Sequence, residues 1–379
     1  MKILFVIDTL YTSNNGTSIS AQRFAVELRK KGHEVRCLCS EPAGQEKYKH
    51  ITDGDFIAGK VHVPVFQPLM DKHDFCFAKV NKRIIREACD WADIVHVFTP
   101  FPISVAAVNY CNSISKPVTA AFHIQAENIT SSLGLGKVKW VNDCIYALFR
   151  KIVYNKVRHV HVPSQFMGNV LEKHHYTAKI HVISNGIQED FIHAASERVL
   201  RPDSYNIMMI GRLSREKRQD VIMNAVQYSK YRDQIQLVFA GKGPEYNRYV
   251  KLCAKLGIQP RFLYLNREEL IKQLLSTDLY IHASDMESEA ISCIEAFATG
   301  LVPVIAHSDN SATPQFALDE RSLFEAGNPK DLAKKMDYWF DHPEQRQSMG
   351  KQYQESAKHY LIAHSIDKFE QMLQEEAAI

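Results

Sequence analysis

Long apolar runs are missing from this chain. Nowhere do its 379 residues supply the ~18 uninterrupted apolar positions of a bilayer-spanning helix, so any dealing with a membrane is confined to its surface. No secretory leader is expected either: the apolar start Lys2-Ile-Leu-Phe-Val-Ile stops at Asp8 and has the length of a buried parallel strand. The eight cysteines, Cys37, Cys39, Cys111, Cys253 and Cys293 among them, show no Cys-x-x-Cys spacing and mostly lie in apolar company. They read as reduced core residues, which excludes a disulfide frame and a cysteine zinc site. A net charge of +3 is too small to imply a nucleic-acid partner. The loop after the first strand, around Gly16, lacks the Gly-x-Gly-x-x-Gly fingerprint of a dinucleotide site, which counts against a dehydrogenase. Repeats and low-complexity tracts are also absent from the sequence.

What is there is an alternation of strand and helix signals. Lys2–Ile7 reads as a strand and Ala21–Lys31 as a helix with Phe24, Ala25 and Leu28 on one face, stopped by Gly32. His33–Cys39 returns as a strand and completes a βαβ unit. Further strands are expected at Ile94–Phe98, Val118–Phe122 and His159–Val162, and the alternation continues after Asn185-Gly186. The length suits two α/β domains, each with its own core, with a boundary near Ser184 to Pro202. The tail from about Pro343 to Glu376 reads as helical.

The chemistry-bearing residues gather after predicted strands. Glu287 and Glu295 follow the strand Leu279–His282 eight positions apart, the first in a loop and the second within a short helix over Ala290–Thr299 that Gly300 and Pro303 stop. A helix opening at a strand's carboxyl end offers unpaired N–H groups to an anion such as a diphosphate. Two carboxylates do not attract that anion, but they can grip hydroxyls beside it. Upstream, Ile210-Gly211-Arg212-Leu213-Ser214-Arg215-Glu216-Lys217 follows the strand Tyr205–Ile210 and brings a planar and a point cation to one loop. Gly241-Lys242-Gly243 closes a third apolar strand, Gln234–Ala240. Basic residues after strands are usually just solvated; three such loops in succession are harder to obtain by accident.

Arg212, Lys217, Glu287 and Glu295 match the Gly-Arg-x4-Lys loop and the Glu-x7-Glu motif, and here the chain resembles the retaining nucleotide-sugar glycosyltransferases of family 4. The resemblance implies the GT-B fold: two doubly wound Rossmann-like α/β domains facing across a cleft. It implies an acceptor-binding domain over 1–185, a nucleotide-sugar-binding domain over 186–360, and a last helix, 361–379, crossing back to the first. It assigns Arg212 and Lys217 to the donor diphosphate, Glu287 to the transferred sugar and Glu295 to the ribose. Backbone amides from Ala290, Ile291 and Ser292 are expected at sugar and phosphate, with Gly211, Gly243, Leu265 and Asn266 as further donor contacts. Val182-Ile-Ser-Asn185-Gly186 is similar to the family's turn into the second domain. Most members carry Gly-Phe-Gly after the first Glu, whereas this chain has Ser288-Glu289-Ala290, a departure that bears on which sugar is carried.

A narrower resemblance rests on Asn15-Gly16-Thr17-Ser18, Phe122–Asn128, Glu287–Ile291 and Ser311–Phe324. These are similar to bacterial enzymes that glycosylate membrane lipids, including sterol α-glucosyltransferases and diacylglycerol or ceramide hexosyltransferases. It implies transfer of glucose or galactose from a UDP-sugar to a lipid hydroxyl, without a cofactor, at the inner face of the cell membrane. Gly16 and Thr17 are then donor contacts, His123 belongs at the sugar and the acceptor hydroxyl as a catalytic candidate beside Glu287, Arg212 and Lys217, and Gln125, Glu127 and Asn128 line the acceptor side. From Lys137 to Arg158 the chain is basic and aromatic. Val141, Cys144, Ile145, Leu148 and Ile152 read as its core face, leaving Trp140, Tyr154 and the cations for an anionic leaflet. Asp53-Gly-Asp55 imitates a metal-binding acid pair without supporting context. His159/His161 and His174-His175 show no carboxylate or cysteine partners at metal spacing, so no metal is expected. Rival readings are a transferase acting on a polysaccharide or lipopolysaccharide intermediate, a nucleotide-sugar epimerase, which shares this fold, and a silent binding subunit.

Overall fold

The computed structural model describes residues 1–11, 16–41, 54–64, 67, 70, 75–132, 136, 138–197 and 204–379. The chain forms two compact units, Met1–Ser184 with Ala363–Ile379, and Asn185–Ile362.

In the first unit β1 (Lys2–Val6), β2 (Glu34–Ser40) and β3 (Phe56–Ala58) are followed by a small antiparallel ribbon, β4 (Lys60–Val61) with β5 (Phe77–Ala78), then by β6 (Ile94–Val97), β7 (Val118–Ala121), β8 (His159–Val162) and β9 (Lys179–Val182). All but the ribbon make one parallel sheet in the order β3-β2-β1-β6-β7-β8-β9. Its strands are near-continuous apolar runs because helices cover both faces. The chain order reverses between β1 and β6, and the carboxyl ends at such a switch point are where doubly wound sheets bind ligands. Gly16 and Thr17, expected in the loop after β1, are instead the first residues of the helix Gly16–Lys30, five positions earlier than the apolar pattern indicates. The early turn is polar, but Ser18 and Ser20 are buried in it, and Ser20 Oγ returns a bond to the Gly16 carbonyl at 2.9 Å.

The helix Ile362–Ala377 completes this unit. Phe369 is fully buried on it, edge-on to Phe5 and Phe24 and within ring contact of His96 and His161. A rim of charge follows the same helix: Lys31 holds Asp367 at 2.7 Å, Lys179 holds Glu375 at 2.6 Å and Arg158 holds Glu376 at 2.8 Å.

The second unit repeats the plan. Its strands β10 (Tyr205–Ile210), β11 (Ile235–Ala240), β12 (Arg261–Leu263), β13 (Leu279–His282), β14 (Pro303–His307) and β15 (Leu323–Glu325) form a parallel sheet in the order β12-β11-β10-β13-β14-β15, with the switch point between β10 and β13. The chain enters this unit at Asn185 and leaves it at Ile362, and the two passages are bonded to each other: Ile187 N–H donates to Tyr360, and Ile362 N–H to Ile187, both at 2.8 Å. Gly186 makes this crossing feasible. Its φ is +76°, and a Cβ there would lie 2.6 Å from Ile362 Cα.

Phe369→Ala removes a ring that has no room to be replaced by solvent. The expected cost is about 3–5 kcal/mol in the first unit, read as a lower urea midpoint for the transition that reports on β1 and β6. A shift of under about 1 kcal/mol would mean that the helix contributes little to this core.

Candidate functional site

The loops after β10 and β13 flank the second unit's switch point, and they are tied together. Glu216 lends its backbone carbonyl to the Asp285 N–H at 2.8 Å, and Arg218 grips the Asp285 carboxylate at 2.9 Å. On the other side Ser308 Oγ donates to the Asp285 carbonyl at 2.6 Å and Ala312 N–H to the Glu287 carbonyl at 2.9 Å. The Ser311-Ala-Thr-Pro stretch thus supports the Glu287 loop, with Ser311 and Thr313 buried and their hydroxyls 2.8 Å apart.

Within this frame Lys217 Nζ donates to Glu287 Oε1, and the same oxygen receives His282 Nε2 at 2.9 Å. His282 is completely buried at the end of β13, and Tyr280 Oη lies 3.2 Å from its Nδ1. Burial alone would push the Glu287 carboxyl up, but the Lys217 ammonium and the His282 bond outweigh it and hold the group well below the usual carboxylate range. Burial lowers His282 in turn, with Lys217 adding to it and Glu287 opposing. The result is an ionised acid, a cation and a neutral imidazole whose proton sits on Nε2. Arg212 stands on the same loop, its guanidinium 3.4 Å from Glu216, whose carboxylate also accepts from Ser214 Oγ at 2.5 Å.

The helix Ile291–Ala298 opens beside this group, and Glu295 lies one full turn in from Ile291, 7 % exposed. Its N-cap is Ala290 at φ +73°, a left-handed backbone that costs an L-residue about 1–2 kcal/mol and that glycine adopts freely. Ser292 Oγ reaches the Ile210 carbonyl at 3.4 Å, joining this helix to the end of β10. Gly243 is packed against the first loop: a Cβ there would sit 2.3 Å from the Leu213 carbonyl oxygen, while Leu213 N–H donates to Lys242 at 3.0 Å. Gly241, at φ +151°, has the Gly211 carbonyl equally close. Gly211 itself faces the Lys217 side chain, 3.6 Å from a would-be Cβ. Leu265 is half-buried and Asn266 caps the helix Arg267–Leu275 through a reciprocal box with Glu269. Next to them Lys242 Nζ lies 3.9 Å from the Tyr264 ring centre, so an exposed aromatic platform adjoins the glycine loop.

The acceptor-side candidates belong to the first unit. His123 follows β7, buried, its ring parallel to Phe98 and edge-on to His161. Burial, helped by His161, lowers its pKa well below the ordinary value, so it is neutral. Gln125 is buried, Glu127 accepts from Tyr146 Oη at 2.6 Å, and Asn128 is exposed.

Residues 14–191 match the model described as Glycosyltransferase Family 4, and residues 192–356 the model described as Glycosyl transferases group 1. The chain belongs to glycosyltransferase family 4. Among its relatives is the alpha-monoglucosyldiacylglycerol synthase of Streptococcus pneumoniae, 24 % identical over 324 residues, which span 82 % of this chain and 71 % of that protein. A GDP-mannose-dependent alpha-mannosyltransferase of Mycolicibacterium smegmatis is also 24 % identical, over 88 % of this chain and 82 % of its own. In architecture the transferase is similar to Anabaena HepE in complex with UDP, with a TM-score of 0.77 at 14 % identity, covering 99 % of this chain and 100 % of that one; the fold is GT-B. The catalytic domain of the cholesterol-alpha-glucosyltransferase from Helicobacter pylori is 48 % identical over 41 % of this chain and 98 % of its own, with a TM-score of 0.40.

Three features of the transferase lie outside the sequence reading. His282 is the third member of the Glu287 group; its position at the end of a strand, five residues before the acid, was the available signal. Glu289 stands where the family pattern has an aromatic residue, and its buried carboxylate accepts from the Asn185 backbone N–H at 3.0 Å and from Asn185 Nδ2 at 2.6 Å. The substitution thus binds the Glu287 loop to the turn through which the chain enters the unit. The helix Lys139–Ile152 is turned differently from the expected face: Asn142, Tyr146 and Phe149 are buried, whereas Cys144 and Leu148 are exposed. The larger rings fill the core, Ile145 and Ile152 of the expected face still pack against it half-buried, and only Cys144 and Leu148 are turned outward. Tyr154 is not at the surface either; it is 1 % exposed and donates to the Ala121 carbonyl at 2.9 Å. Trp140 is 69 % exposed beside Lys139. Lys137 and Asp53 lie outside the described residues, and Asp55 accepts from Cys37 N–H at 2.8 Å and from the Tyr11 hydroxyl, a structural role.

Because the folded pKa of Glu287 lies below its ordinary 4.5, its stabilising contribution is complete above that value and fades as the pH falls toward the depressed one. Glu287→Gln should lower the urea midpoint of the second unit at pH ~7 by more than at pH ~3.5, where wild type has begun to lose the advantage. An equal gap at both values would contradict the ion pair's contribution.

Proposed function

We propose that the transferase moves glucose or galactose from a UDP-sugar to the hydroxyl of a membrane lipid, a sterol, diacylglycerol or ceramide, with retention at the anomeric carbon. The observation that carries this reading is the Lys217–Glu287–His282 group at the β10/β13 switch point, beside the amino end of the helix Ile291–Ala298. An ammonium has three donors, of which the Glu287 bond uses one, so Lys217 can meet a diphosphate while still holding the acid. Arg212 adds a planar fork and the helix end adds backbone N–H groups.

In the reaction the bond from the anomeric carbon to the diphosphate oxygen breaks while the lipid oxygen bonds to that carbon on the same face. The lipid's hydroxyl proton passes to a phosphate oxygen, and UDP leaves. The protein stabilises the growing negative charge without a metal, by charges already in position. Glu287 holds the sugar and Glu295 the ribose hydroxyls. An aromatic platform such as Tyr264 suits a nucleobase. The lipid acceptor is supported by the Ser311–Phe324 and Phe122–Asn128 resemblance and by the name of the pneumococcal relative, a diacylglycerol glucosylating enzyme. Among the described residues no helix is long and apolar enough to cross a membrane. Exposed Trp140, Leu148, Lys139 and Lys151 give the first unit a surface suited to an anionic leaflet, which we assign to the cytoplasmic face of the cell membrane.

Release of UDP should depend on added lipid vesicles, persist in EDTA, and fall ~100-fold or more in kcat with Lys217→Ala. Glu295→Gln should raise the donor KM with kcat nearly unchanged, while Glu287→Gln should lower kcat. Conversion of the sugar donor without any acceptor would favour an epimerase instead, and turnover confined to GDP-mannose would overturn the UDP assignment.

Replacing Lys139, Trp140 and Lys151 together with Ser should lower recovery on floated anionic liposomes and leave UDP affinity intact. The loss should shrink at high salt, where the attraction that the cations supply is screened to within a few ångströms. Equal recovery of variant and wild type at low salt would make this an ordinary surface helix.

A further inference from the structure

The C-terminal helix brings to the first sheet what its histidines lack in sequence. His159 opens β8 and His181 lies on β9; the strands pair with His159 opposite Lys179 and His161 opposite His181, so His159 and His181 are diagonal neighbours on one face. Their rings stack with centroids 5.0 Å apart, and His159 Nδ1 is 2.8 Å from His181 Nε2. Glu375, nearly two hundred residues later, places Oε2 at 3.9 Å from the same Nδ1. Among the described residues these three form the one group of His, Cys, Asp or Glu side chains whose ligand atoms all fall within 4.8 Å of one another.

We propose that His159, His181 and Glu375 form a zinc site that pins the C-terminal helix to the edge of the first sheet. A tetrahedral zinc with bonds of about 2.0–2.2 Å separates its ligand atoms by roughly 3.3–3.6 Å, and the observed 2.8 and 3.9 Å bracket that spacing. Two imidazoles and a carboxylate are a donor set that zinc favours, with a fourth position for water. On the side away from the ligand atom Glu376 Oε2 lies 3.7 Å from His159 Nε2, an ionic neighbour outside hydrogen-bond distance, and is itself held by Arg158. Lys179 competes, since its ammonium sits 2.6 Å from Glu375 Oε2; but that side chain is 60 % exposed, and such a surface pair contributes little. The site is separate from the donor group of the second unit and has no part in the transfer step.

The test uses the full chain without a histidine tag, stripped by chelator and titrated with zinc against a chromophoric competitor. Wild type should take one equivalent with micromolar or tighter affinity and show a raised melting temperature. His181→Gln and Glu375→Gln, both partly exposed and safe for folding, should each weaken binding at least tenfold and abolish the melting shift. Lys179→Ala should bind as tightly as wild type or tighter, because it removes the competing cation. Cobalt should give the visible absorption of a four-coordinate site in wild type and not in His181→Gln. No stoichiometric binding by wild type, unchanged binding in His181→Gln, or weaker binding in Lys179→Ala would each overturn the proposal and leave a polar seam of hydrogen-bonded histidines.

Discussion

A buried carboxylate that stays ionised is the constraint around which the second unit is organised. Glu287 can keep its charge inside the protein only because Lys217 and His282 converge on one of its oxygens. That convergence demands that the β10 and β13 loops stay in register, and the Asp285–Arg218 pair, the Glu216–Asp285 backbone bond and the Ser308–Ala312 segment all serve to hold them so. A single misplacement would strand an unpaired charge in a medium that solvates it poorly. The parallel sheet supplies the rest, since it ends both strands at the switch point where a crevice must form.

The first unit follows a different economy. Three histidines in its interior are neutral: His96, His123 and His161 are buried with lowered pKa values, desolvation being the main cause in each. Phe369 of the last helix touches two of these rings and two phenylalanines of the sheet and first helix. The helix that closes the chain is therefore part of the core that the first strand begins. In its charged rim the exposed Lys31–Asp367 pair adds little energy, whereas Arg158 meets a carboxylate, Glu376, that is itself buried.

Strands were the most legible part of the sequence. Tyr205–Ile210, Leu279–His282 and His159–Val162 stand where short apolar runs bounded by turns indicated them, because parallel strands buried on both faces have little freedom to be anything else. The loops that follow them were legible as positions, and the contact between Lys217 and Glu287 was not, since seventy residues separate the two and only the sheet order brings them together. Helix faces were harder. In Lys139–Ile152 both Ile145/Leu148 and Tyr146/Phe149 make an apolar stripe, and periodicity cannot choose between them; the volume of the rings does. The histidines of β8 showed no acidic partner in the sequence because that partner arrives on the last helix.

The most direct test of the central claim is mass spectrometry of a total lipid extract after incubation with the transferase and, separately, UDP-glucose, UDP-galactose and GDP-mannose. The account predicts that one lipid class gains the mass of a single hexose with a UDP-sugar and that Lys217→Ala abolishes the new species. Absence of any hexosylated lipid, with hexose appearing instead on a soluble acceptor or as an isomerised donor, would contradict it.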